Sequence, residues 1–148
     1  MNWLPALVAG ALLAGASAFA AESARIVKVL PHYLDTQGRH TLSPSLFERD
    51  AYQAQLRKHP EQRSAVRFDV QCKGVGRADG SLELFIEIRG TKSGAANPIV
   101  IVETVKRGSW IMPTLRGELF ERCGDVVAWR ATLWRGDQLV SEMKSFLW

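Results

Sequence analysis

Three residues near the start of the chain are of types that could do chemistry: His32, Asp35 and His40. Two imidazoles and a carboxylate suit a borderline divalent metal, and either imidazole could move protons near neutral pH. Their spacing matches no recurrent ligand motif, however, and a histidine at a strand end is more often solvated or hydrogen-bonded than ligating. The expectation is therefore no resident cofactor. A metal-dependent enzyme at His32, Asp35 and His40 is kept as an alternative.

Other catalytic patterns are missing. The chain has no Gly-x-Ser-x-Gly elbow and no His-Glu-x-x-His zinc helix. Gly74 and Gly76 lack the rest of a nucleotide fingerprint and join two strands. Glu83 and Glu87 share a strand face, where solvated partners for Lys or Arg are the ordinary use. No catalytic residue is assigned on these grounds, and a non-enzymatic protein is expected.

Cys72 and Cys123 are the two cysteines. In an oxidising compartment they could form one intramolecular bridge. The alternative is two buried thiols that behave as small hydrophobes. Neither lies in a Cys-x-x-Cys pair, so a thioredoxin-like redox site and a zinc knuckle are excluded.

Two surface chemistries remain. Arg57 and Lys58, with His59, Arg63 and Arg67 beyond, form a basic stretch that could meet an anionic surface. The net charge of +4 is mild, Glu48 and Glu61 dilute the stretch, and nucleic acid is not expected as a partner. Trp110 and Trp134 could stack on sugar rings or anchor a protein. Trp148 and Phe85 are also expected near the surface and Trp129 in the interior. Trp is commonly used simply to finish a small core.

The elements that would position these groups are mostly strands. Val66, Phe68, Val70 and Cys72 alternate with polar residues, as do Leu82, Leu84, Ile86 and Ile88, which is the period of half-buried strands. The turn-rich segment from Gly74 to Gly80 between them suggests an antiparallel hairpin. Ile99–Lys106 supplies a further β-branched strand. Val126–Trp134 and Gln138–Leu147 flank a turn at Arg135–Asp137, with Val127, Trp129, Ala131 and Leu133 inward. The last strand has apolar residues on both faces, which a bulge or a second covered face would resolve. Arg25–Leu34 is an earlier apolar run closed by a turn at Asp35–Gly38. One α-helix interrupts the pattern at about residues 46–58. Ser45 and Glu48 fit a capping box, Pro60 ends the segment, and Phe47, Ala51 and Ala54 form a narrow apolar stripe.

Six to eight short strands without strand–helix alternation predict an all-β fold, an antiparallel sandwich with one inserted helix. The inferred strand order resembles an immunoglobulin or fibronectin type III domain. In that resemblance, Cys72 and Cys123 stand near the positions of the inter-sheet bridge. The stretch Ser43–Tyr52 and the closing Lys144–Trp148 also resemble small exported bacterial proteins to which no activity is attached. That resemblance implies export and a β-sandwich, nothing more.

The N-terminal twenty residues carry no charged side chain, although 23% of the whole chain is charged. An apolar run closing on Ala18-Phe19-Ala20 has the form of a secretory leader, cleaved after Ala20. Its n-region lacks Lys and Arg, and Trp3–Ala21 is long enough to be an uncleaved anchor instead. The reading is thus a signal peptide at 1–20 and a single domain at 21–148, periplasmic or extracellular. With 148 residues there is room for one domain. The expected function is an interaction or structural module for an envelope protein or a glycan, with a carbohydrate-binding domain as the sharper alternative.

Overall fold

In the computed structural model, residues 23–76, 80–106 and 110–148 are described. The two alternating segments are strands β2 (Arg63–Lys73) and β3 (Leu82–Gly90). Phe68, Val70, Leu82, Leu84, Ile86 and Ile88 are fully buried, so the period-2 pattern gave the inward faces correctly. The expected hairpin between the two strands is not formed. β2 pairs with β1 (Arg25–Asp35), whereas β3 pairs with β4 (Ile99–Val105) and β7 (Val126–Arg135). The two strands belong to different sheets instead of folding back within one, and part of the glycine-rich segment between them lies outside the described residues. Local turn chemistry cannot separate these two outcomes.

One sheet has the order β1-β2-β5, with β5 (Trp110–Ile111) and β6 (Thr114–Arg116) both pairing with β2. This edge is broken at Met112 and the buried Pro113, whose carbonyl accepts from Phe68 N–H. A proline is tolerated at such an edge because it owes no ladder donor. The other sheet has the order β4-β3-β7-β8, with β8 at Gln138–Lys144. All pairings are antiparallel. Placing the first, second and split fifth–sixth strands opposite the fourth, third, seventh and eighth gives an immunoglobulin-like sandwich.

Two bulges set the faces of β7 and β8. Between β3 and β7 the register shifts at Gly90, which pairs with Val126 while Arg89 pairs with Ala128. The extra residue, Val127, is turned outward and is 47% exposed, against its expected inward place, while Ala128 is buried. In β8 the register skips Val140, so that both Val140 and Met143 pack against the core while Leu139 faces out.

The inserted helix α1 spans Leu46–Lys58, and Ser45 Oγ accepts Glu48 N–H at its start. The N–H of Ser45 is met by Ser43 Oγ at 3.1 Å, the place a capping-box glutamate would take. The expected apolar stripe is overturned. Phe47, Ala51 and Ala54 are exposed, and the helix turns Leu56, Gln53 and Tyr52 toward the sandwich. Gln53 explains the rotation. Its carboxamide accepts Tyr33 N–H at 2.8 Å and donates to the Tyr33 and His40 carbonyls at 2.9 and 2.8 Å. Tyr33 lies on the outer edge of β1, so one side chain caps an exposed sheet edge. A second helix, α2 (Gly117–Cys123), was not anticipated. Its last residue presses on Gly90, where any Cβ would collide with the Cys123 carbonyl.

Candidate functional site

The residues with chemical potential fall at separate places on this scaffold. At the end of β1, Asp35 is 5% exposed. Its carboxylate accepts from Tyr52 Oη at 2.7 Å, Arg39 Nε at 2.8 Å, Gln37 N–H at 2.8 Å and Arg39 N–H at 2.9 Å. Burial alone would raise this carboxyl, but the Tyr52 and Arg39 hydrogen bonds outweigh it and hold the pKa at about 2. Asp35 is thus a knot joining β1, its turn and α1, with its oxygens already engaged.

His32 and His40 do come together, with ring centroids 5.3 Å apart. The carboxylate beside them is Asp69, not Asp35: Asp69 Oδ2 lies 3.2 Å from His32 Nδ1. Arg67 grips Asp69 in a fork of 2.6 and 3.0 Å. Against the raising effect of burial, the His32 and Arg67 bonds bring Asp69 to about 2. Burial, then the Arg67 charge, lowers His40 and keeps it neutral at pH 7. Among the described residues no group of three or more His, Cys, Asp and Glu could hold a metal ion. Asp69 was missed in the sequence because strand pairing sets it beside His32; the register places Arg67 opposite His32 and Asp69 opposite Leu30.

Cys72 and Cys123 are both free and buried. Cys72 is the penultimate residue of β2, and Cys123 ends α2 against Gly90, the last residue of β3. Of the two readings of these cysteines, a bridge or a pair of buried thiols, the structure shows the buried thiols. Burial pushes the Cys72 thiol up to about 11 and raises that of Cys123, so neither is a nucleophile at neutral pH.

The basic stretch does not form one patch. Arg57 and Lys58 are exposed at the end of α1, and His59 meets Glu61. Arg63 turns inward with 4% of its side chain exposed, and Arg67 is spent on Asp69. The aromatic pair is likewise divided. Trp110 is 43% exposed on β5 in one sheet, and Trp134 is half-buried on β7 in the other. Trp129 is half-buried at the margin of the core, and Trp148 packs against the Arg89 guanidinium, 3.9 Å from the ring centroid.

Trp134 has a different companion. Its ring meets Phe85 edge-on at 6.5 Å between centroids, and its Nε1 donates to Thr132 Oγ1 at 2.9 Å. The outward residues of β3 and β7 lie in rows fixed by the register: Glu83 beside Trp134, Phe85 beside Thr132, and Glu87 beside Arg130. Arg130 Nε donates to Glu87 at 2.6 Å. With Val100 from β4 and Gly136–Asp137 from the turn, they line a shallow groove of about 660 Å³. Its floor is aromatic and its walls are carboxylates, a hydroxyl and a guanidinium. Glu83 and Glu87, unremarkable in sequence, gain this setting only through pairing.

No protein-family model, curated protein or solved structure matches the chain.

Proposed function

We propose that the chain is an exported, non-enzymatic module that binds a glycan on the outer face of the β4-β3-β7-β8 sheet. The observation that carries this reading is the Phe85–Trp134 pair set among Glu83, Glu87, Arg130, Thr132 and Asp137. Aromatic rings take the apolar faces of sugars, and fixed acceptors and donors read the hydroxyl groups around the ring. Val100 and Val102, each 47% exposed beside this face, extend the contact area. Export rests on the uncharged leader segment, which lies outside the described residues. Among those residues no helix is long and apolar enough to cross a membrane.

The experiment is affinity electrophoresis and pull-down on cellulose, chitin, mannan and peptidoglycan. Retardation by at least one of them is expected, and Trp134→Ala should weaken it roughly tenfold, about 1.4 kcal/mol, with an unchanged circular dichroism spectrum and melting point. Binding that survives both Trp134→Ala and Phe85→Ala, or an absence of glycan binding, would overturn the proposal.

A further inference from the structure

A second concavity opens at the edge of the sandwich, away from the glycan face, where β1 stands across from β7. This cleft has a volume of about 370 Å³, within the range of small-ligand pockets. Pro31 and Tyr33 from β1, Val66 from β2, and Val126 and Trp129 from β7 form apolar walls. Val127, turned outward by its bulge, and Arg57 of α1 stand at the rim.

The polar element of the cleft is Arg63. Its side chain is 4% exposed, and its guanidinium carbon lies 4.4 Å from the Tyr33 ring centroid. Nη2 meets Asp125 Oδ1 at 2.8 Å, while Nε is sealed without a hydrogen-bond partner among the described residues. Buried guanidinium groups are ordinarily paired and saturated with acceptors. Among the described residues Arg63 instead has one counterion, and that carboxylate is 55% exposed and keeps much of its own hydration. Tyr33 is fixed in turn, since its Oη accepts Val126 N–H at 3.1 Å. The cation is thus held rigidly by a ring and only partly neutralised, next to an apolar chamber.

We infer that this cleft binds a small amphipathic carboxylate, its head displacing Asp125 on Arg63 and its apolar body lying against Trp129, Pro31 and Val66. The planar guanidinium fork matches a carboxylate in two bonds. The exposed Arg57 at the rim adds a second positive charge, so an incoming anion is favoured over a neutral molecule. Asp125 acts as the resident anion that closes the site when it is empty.

The test is calorimetric titration of the full chain with decanoate and with 3-phenylpropionate, each beside its neutral match, decanol and 3-phenylpropanamide. Saturable one-to-one binding is expected for a carboxylate, with the neutral match at least tenfold weaker. Asp125→Asn removes the competing anion and should tighten binding several-fold, whereas Arg57→Gln should weaken it about threefold. Val127→Trp, at an exposed position that leaves the core intact, should block entry and abolish binding. Trp134→Ala should change nothing, which keeps this site independent of the glycan face. The inference is overturned if neither carboxylate binds wild type or Asp125→Asn. Equal affinity for the neutral matches, or binding undiminished by Val127→Trp, would overturn it as well.

Discussion

A carboxylate that looks catalytic in a sequence can be fully occupied in a fold, and Asp35 shows how. Four donors converge on its two oxygens, from its own turn and from Tyr52 on α1. Asp69 is similarly engaged by His32 and Arg67. Both carboxyls fall from 3.8 to about 2 in the folded protein. The unfolded chain therefore binds protons at higher pH than the native one. The stabilisation is fully present above about pH 4 and drains as the pH falls toward 2. Chemical denaturation at pH 7, 4 and 2.5 should show little change over the first interval and a marked fall over the second. Asp35→Asn should cost about 2 kcal/mol at pH 7 and flatten the acid loss. An unaltered acid limb in that variant would show that Asp35 is not one of the linked groups. The sequence made His32, Asp35 and His40 visible as a trio because residue type is legible locally. It hid Asp69, because which carboxylate meets His32 is decided by strand pairing across 37 positions.

At the level of elements, what was legible is what repeats with a period. The faces of β2 and β3 followed from alternation, and α1 ran from Leu46 to Lys58 as its flanking signals implied. What failed was the face of that helix, because apolar periodicity cannot register a buried glutamine. Gln53 is 2% exposed and makes three hydrogen bonds to backbone, two at Tyr33 on the sheet edge and one at His40 in the loop that follows. Gln53→Ala would leave the Tyr33 N–H and carbonyl without partners under the helix and should destabilise by about 2–4 kcal/mol. Hydrogen exchange at Tyr33 should accelerate well beyond that of the centre of β2. A variant with wild-type stability and protection would show that α1 covers the β1 edge without being fastened to it. The same limit explains the lost β2–β3 hairpin. Alternation fixes which way each strand faces but not which sheet it joins, so neither the Phe85–Trp134 groove nor the edge cleft could be assembled beforehand.

Taken whole, the molecule is held by its two packed faces, not by a covalent staple. A small domain has a modest core, which made a disulfide attractive on first principles. Yet Cys72 and Cys123 are themselves core residues, 2% and 0% exposed. Filling space in the core, they add apolar packing as free thiols. Export through an oxidising compartment is compatible with this arrangement, since each thiol is shielded and protonated once the chain has folded. Intact mass spectrometry of the protein recovered from the cell envelope tests both halves of that statement together. The mature chain should begin at Ala21 and resist iodoacetamide while folded. In denaturant without reductant it should gain two carbamidomethyl groups. A chain retaining Trp3 would refute cleavage of the leader. A mass lower by two hydrogens, with no alkylation until reductant is added, would refute the free thiols.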